Sequence, residues 1–335
     1  MHFENFIGID ISKLTLDICL ITSQGELLFA KIENDRLSIK KYLKTLFRQQ
    51  TILPQDTLIC AEHTGHFGNK LIDACVTSGL SLWVESAYNI IHSQGMTRGK
   101  DDKTDAQRIA IYAKRFSDSA KLYRPKNSNI KLLERLFSER ELVVKDIAKY
   151  KSQLKQEEGF FDARYFKEKQ KRIQRLMKCN QNALNEIQEK IDEIISNDIE
   201  LANTIENITS IPGVGLQTAL ATIIATDNFN RFNNARKFCC HAGCAPFRYQ
   251  SGSSIKSKHR VSQRANKNLK KIFHMAALST LRTSGEFREY FDRKVAEGKN
   301  KMTVINALRA KLIHRIFALA KQNRKYEYSY LNSLV

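Results

Sequence analysis

The sequence predicts an α/β domain followed by all-helical chain: a sheet flanked by helices over residues 1–126, a long helical coiled-coil arm over 127–203, and a mostly helical, basic domain over 204–335. Three observations carry this division. Short apolar runs of strand length alternate with helix-period runs up to about residue 125. The next stretch is rich in Lys, Glu, Gln and Leu and has no proline. Beyond Thr204 the helical pattern continues, but acids disappear: none lies between Asn228 and Gly285.

The elements follow in order. Phe6 to Ile9 is a strand running into Asp10, Leu16 to Ile21 a second, and Glu26 to Ile32 a third after the Gln24-Gly25 turn signal. Leu37 to Phe47 has a helical period. Thr57 to Ala61 is a short strand ending at Glu62; a helix from Phe67 to Ser78 and a strand from Ser81 to Val84 come next. Asp102 to Phe116 is helical, with Ile109, Ala110 and Ala113 on its apolar face. A meander joined to α/β units is a sheet with helices packed on it. In the arm, Leu132, Leu133, Leu136, Val143, Ile147 and Leu154 keep a helical period, as do Ile173, Leu176, Leu184, Ile187, Ile191, Ile194 and Ile195. Gly159-Phe160-Phe161 separates the two runs, giving an antiparallel hairpin or coiled coil; a plain helical bundle satisfies the same pattern.

Fifty-five Lys and Arg against 35 Asp and Glu leave the 335-residue chain at +20. Such a surface concentrates polyanions, and nucleic acid is the foremost of these because its condensed counterions are released on binding. A membrane is the competing partner, but no apolar run is long enough to span a bilayer and no N-terminal signal segment is visible. Seven scattered cysteines without a paired framework suit a reducing cytoplasm. Cys239, Cys240, His241 and Cys244 cluster, yet lack a second ligand pair for zinc, so they read as buried thiols. The acid-free stretch carries Arg248, Lys256, Lys258, Arg260, Arg264, Lys267 and Lys270, interleaved with His241, Tyr249 and His259. It is the expected nucleic-acid surface.

Four carboxylates stand where chemistry needs them. Asp10 ends the first strand in Gly8-Ile9-Asp10-Ile11-Ser12-Lys13, and Glu62 ends another in Ala61-Glu62-His63-Thr64-Gly65. Asp102 and Asp105, three apart, share one face of the helix they open. Each has a plain reading: a solvated strand end, a capping or surface glutamate, a macrodipole complement worth about 0.3–1 kcal/mol. Together they form an all-oxygen pocket for two Mg²⁺ ions, the arrangement that activates an attacking oxygen and stabilises a leaving one at a phosphodiester. In Ile211-Pro212-Gly213-Val214-Gly215, Gly213 and Gly215 make either a phosphate-binding hairpin or a tight turn between packed helices. Chemistry alone makes Pro246 to Ser254 a polar loop touching phosphate, because no local base would activate a serine there.

In that order GIDISK, AEHTG, KDDKTDA, IPGVG, ARKFCCHAGCAPF and YQSGSS resemble the DEDD-type insertion-sequence transposases, a family that includes the pilin-gene inverting recombinases (Piv/MooV type). The resemblance covers nearly the whole chain. It implies a ribonuclease-H-like (RuvC-like) N-terminal domain, with the family's four acids at Asp10, Glu62, Asp102 and Asp105. It implies that Ser251, within Gln250-Ser251-Gly252, is the nucleophile that joins DNA, with Ser253 and Ser254 as minor rivals. It further implies a homo-dimer or homo-tetramer in which one protomer's acids complete another's serine site. The implied partners are DNA, as element ends and target, and a guide RNA encoded by the element; the implied place is the nucleoid-associated cytoplasm. The family's Thr is Asp101 here, and its Ser-Lys-x-Gly-Asn segment is Ser262-Gln263-Arg264-Ala265-Asn266, where a local backbone change is expected. The resulting reading is a transposase or site-specific recombinase. The alternatives are a metal-only junction resolvase, a DNA invertase, and a non-catalytic nucleic-acid scaffold.

Overall fold

A computed structural model describes residues 2–93, 101–232, 234–247, 250–251, 255–256 and 261–328, with backbone alone for 250–251 and 255–256. The chain divides into two compact units, Met1–Pro125 and Lys126–Val335.

The first unit is built on five strands: β1 Asn5–Ile11, β2 Thr15–Ile21, β3 Leu27–Glu33, β4 Thr57–Glu62 and β5 Ser81–Glu85. Their spatial order is β3-β2-β1-β4-β5, with β2 antiparallel to its neighbours and β4 and β5 parallel to β1. This is the order and direction of a ribonuclease-H-like sheet. Helix α1 (Arg36–Gln49) starts where Asp35 accepts the Leu37 and Ser38 N–H groups; α2 (Asn69–Thr77) follows a 3-10 turn at Gly65–Gly68. Both pack on the sheet face made by Ile7, Ile9, Leu16, Ile18 and Ile59. Helix α4 (Asp102–Arg115) covers the other face through Ala106, Ile109, Ala110 and Ala113, against Phe6, Cys19, Leu58, Cys60 and Trp83. A short helix, α3 (Ala87–His92), lies between β5 and α4 and was not expected from the pattern.

Gly8 explains how close α4 comes to the sheet. A methyl group there would sit 2.2 Å from the Ala106 carbonyl oxygen and 2.2 Å from the Ala110 nitrogen. Only a residue without Cβ lets helix backbone lie directly on β1.

The second unit begins with α5 (Ser128–Glu157, 30 residues) and α6 (Ala163–Ser196, 34 residues). They run antiparallel: Asn129 near the start of α5 donates to Asp198 beyond the end of α6 (2.9 Å), and Glu157 at the end of α5 pairs with Lys169 near the start of α6 (2.5 Å). Thirty helical residues extend about 45 Å. Only the base is buried, through Ile130, Leu133, Leu136, Ile187 and Ile191. These join the core made with α7 (Ile199–Thr209), α8 (Leu216–Thr226), α9 (Ala235–His241), α10 (Lys267–Thr280), α11 (Glu286–Ala296) and α12 (Lys301–Gln322). Phe238 is at its centre, 6.0 Å from Phe273 and 5.4 Å from Phe317 between ring centroids. Gln250–Ser251 (β6) and Ile255–Lys256 (β7) pair antiparallel. Cys239 and Cys244 are buried and all seven cysteines are free. Among the described residues no helix is long and apolar enough to cross a membrane.

Candidate active site and nucleic-acid surface

The sheet register decides which side chains share a face. Side chains alternate along a strand. On β1, Ile7 and Ile9 point to the α1/α2 side, while Phe6 belongs to the α4 side and Gly8 lies under α4; Asp10 continues that second series. Cys60 on β4 and Cys19 on β2 pair with Gly8, so two residues along, Glu62 also faces the α4 side. Asp102 and Asp105, in the first turn of α4, stand over this end of the sheet. Asp10, Glu62, Asp102 and Asp105 therefore come to one end of one face.

The same register adds residues that the sequence reading missed. Asp17 on β2 pairs directly with Asp10, and Lys31 on β3 pairs with Asp17. Lys31 Nζ lies 3.1 Å from Asp17 and 3.8 Å from Asp102. Arg108 lies 2.7 Å from Asp105 on the same helix. Glu85, beside Glu62 on β5, is engaged elsewhere: it accepts from the Ser86 N–H and the Asn89 amide, and Tyr112 bonds to it. A signal for Asp17 existed. Ser12 to Thr15 closes a tight turn, and counting outward from it sets Asp17 opposite Asp10.

Crowding of like charge is visible at Asp10. Burial first, then Asp102 and Asp105, and to a smaller degree Asp17, hold its carboxyl above the ordinary carboxylate value; the Ile11 N–H pulls the other way. Lys31 and Arg108 supply part of the missing positive charge. All the acids offer hard oxygen donors, which suit a divalent cation. As the side chains stand, no three acidic, histidine or cysteine groups among the described residues are gathered to hold an ion. The donor chemistry and the excess negative charge fit a cation; in this structure Lys31 and Arg108 pair with Asp102 and Asp105.

The two glycines of the Ile211–Gly215 turn separate. Gly213 has φ +85°, and a Cβ there would come within 2.6 Å of the Thr280 nitrogen at the end of α10. Its reason is packing and backbone sign. Gly215 begins α8 without a side-chain cap, and nothing lies within 4 Å of where its Cβ would be. Most neighbouring helices are capped by Asn or Asp: α7 by Asp198, α9 by Asn234, α10 by Asn266, α12 by Asn300. The first N–H groups of α8 are thus open to an anion.

The basic stretch is described in part. Lys267 and Lys270 lie on the first turn of α10, and Arg264 in the turn before it. That turn is closed by Ser262, which accepts from the Arg264 N–H (3.2 Å), and Asn266 caps α10. Arg248, Lys258 and Arg260, with Ser253 and Ser254, lie outside the described residues. Lys256 and Ser251 are described by backbone only: Ser251 pairs with Ile255 in the β6–β7 hairpin.

Two family models match the chain in order: a transposase model of the DEDD, IS110 type over residues 7–157, and the transposase IS116/IS110/IS902 family over 205–292. The pilin gene-inverting protein of Moraxella lacunata is 26% identical over 329 residues, covering 97% of this chain and 98% of that protein. An uncharacterized 43.6 kDa protein of insertion element IS110 from Streptomyces coelicolor is 30% identical over 120 residues, 36% of this chain and 29% of that protein. The RuvC structure from Thermus thermophilus aligns with 36% of this chain and 99% of its own, at 11% identity and a TM-score of 0.27.

Proposed function

The chain belongs to the IS110-type transposase family, and on that premise we propose that it is a DNA recombinase that cuts and rejoins strands through a composite site. The observation that carries the reading is the convergence of Asp10, Glu62, Asp102 and Asp105 at one end of the sheet, where burial, and then Asp102 and Asp105, raise the Asp10 pKa. In this reading those four acids hold divalent cations, Mg²⁺ in pairs, once Lys31 and Arg108 turn aside. When bound, such ions polarise the scissile phosphodiester and lower the pKa of an attacking hydroxyl. The protein's own part is rigidity: Asp10 and Glu62 sit on strands, and Gly8 fixes the distance from them to the acids of α4. Ser251 is the proposed nucleophile. It is carried on a short hairpin, and the acids that serve it come from another protomer of a dimer or tetramer. DNA phosphates are held by Gly215, Arg248, Lys256, Lys258, Arg260, Arg264, Lys267 and Lys270. In this reading part of the net charge of +20 serves a structured guide RNA as a further polyanionic partner.

Mixing two inactive variants tests the composite site. Asp10→Ala and Ser251→Ala proteins should each fail to recombine an element-end substrate, yet recover activity when mixed, because one supplies the serine and the other the acids. Wild-type-like activity of either alone, or no recovery from two variants that bind DNA normally, contradicts the proposal.

A further inference from the structure

Arg309 on α12 is 6% exposed and has no carboxylate partner among the described residues. Its Nη2 donates to His274 Nδ1 at 2.7 Å, its Nη1 reaches Asn306 Oδ1 only at 3.5 Å, and its Nε–H has no acceptor among the described residues. The contrast is Arg315 on the same helix, which forks onto Glu286 at 3.1 and 3.0 Å. A buried guanidinium is costly unless an anion meets it. Among the described residues no acid pairs with Arg309; Glu286 is engaged by Arg315 and Lys311, and Glu141 accepts from Asn268.

A guanidinium only donates, so His274 Nδ1 must accept and its ring proton sits on Nε2. Burial, and then Arg309, lower the pKa of His274, which keeps the ring neutral. Lys270 lies one helical turn before His274, on the same face of α10. Its stem lies 3.4 Å from where a Cβ at Gly243 would stand. Lys270 and Arg309 both act on the Cys244 thiol, and Asn306 donates to the Cys244 carbonyl at 3.0 Å. Arg309 and Lys270 therefore both lie close to the Gly243–Cys244 turn, His274 is bonded to Arg309, and no carboxylate among the described residues pairs with Arg309 or Lys270. Seven residues of chain lead from Cys244 to Ser251, a reach of at most about 25 Å.

We propose that Arg309, His274 and Lys270 form a binding site for one backbone phosphate of DNA. A phosphodiester supplies the acceptor oxygens in the planar, forked geometry that arginine matches. DNA is the source favoured here because Lys267 and Lys271 on the same helix also make no ion pair among the described residues, so the phosphate would lie on a continuous basic face. The inference rests on the DNA-binding part of the reading above, and not on strand cutting.

Equilibrium binding of the full-length protein to a fluorescent DNA duplex, in chelator and across a salt series, tests it. Arg309→Met should flatten the slope of log K against log salt by about 0.9, one phosphate contact, and weaken binding about tenfold or more at moderate salt. Freed of an uncompensated buried charge, that variant should melt no lower than the wild type. Where Arg309→Met does not fold, Lys270→Gln should lose about one unit of slope. Arg309→Lys should keep the slope but bind more weakly, having lost the fork. An unchanged slope in both Arg309→Met and Lys270→Gln overturns the site, as does a lower melting temperature with the slope intact. A slope change seen with RNA of the same sequence but not with DNA overturns the choice of ligand. No strand is cut in chelator, so this result stands apart from whether the acids and Ser251 do the proposed chemistry.

Discussion

Gly8→Ala is the smallest change that strikes at the geometry of the acidic site. The added methyl would lie 2.2 Å from the Ala106 oxygen and Ala110 nitrogen and 2.8 Å from the Ala110 Cα, all backbone atoms that no rotamer can move. Ordinary carbon contacts need about 3.5 Å. Helix α4 must therefore lift from β1 by roughly 1 Å, the difference between those separations. Forced overpacking of this kind costs about 1–3 kcal/mol. For a unit of this size that is a fall of roughly 4–12 °C in its melting transition. The functional cost should be larger, because α4 carries Asp102 and Asp105 and β1 carries Asp10. A misplacement near 1 Å can lower turnover on the order of a hundredfold. Thermal melting and a strand-cleavage assay on the same preparation give both numbers. Wild-type melting and wild-type cleavage in Gly8→Ala would refute the claim that the β1–α4 contact sets the site.

Three further outcomes follow from the same geometry. The Asp10 pKa is raised in the folded state, so its contribution to stability is full below the ordinary carboxylate value and is lost as pH rises through the folded value. Asp10→Asn should then melt higher than the wild type at neutral pH in chelator and gain less from added Mg²⁺ or Mn²⁺; a lower melting temperature counts against repulsion in the cluster. Gly215→Ala should leave melting unchanged while weakening DNA binding, whereas Gly213→Ala should lower melting through its φ of +85° and its 2.6 Å clash with Thr280. Unchanged DNA binding in Gly215→Ala would show that α8 opens no anion site. Glu286→Gln removes the charge that Arg315 forks onto and should cost about 1.5–3 kcal/mol in urea unfolding; no loss would mean the half-exposed Arg315 is satisfied by water.

Much of the first unit was legible because strands buried on both faces read as apolar runs, and an acid that ends such a run stands out. Asp10 and Glu62 were visible for that reason, and the helical spacing of Asp102 and Asp105 put them together. Asp17 and Lys31 were not, since a polar residue inside a strand reads as a solvent-facing position until pairing sets it against Asp10. The role of Gly8 was hidden because it depends on which helix crosses β1. In the second unit, the Ile211–Gly215 turn was visible, but not that Gly213 packs on α10 while Gly215 stays open. Arg309 was not singled out in the sequence, although Val304, Ile305, Leu308, Leu312, Ile313 and Ile316 set it on the buried stripe of α12.

In the proposed reaction the carboxylate cluster serves a serine that attacks DNA. The most direct measurement is a denaturing gel of the protein incubated with labelled element-end DNA and a divalent cation. Wild-type protein should carry label covalently, while Ser251→Ala and Asp10→Ala should carry none though both still bind DNA. Label attached to Ser251→Ala, or strands cut by wild-type protein with no attached label, would contradict it and leave the acids as a metal-only nuclease.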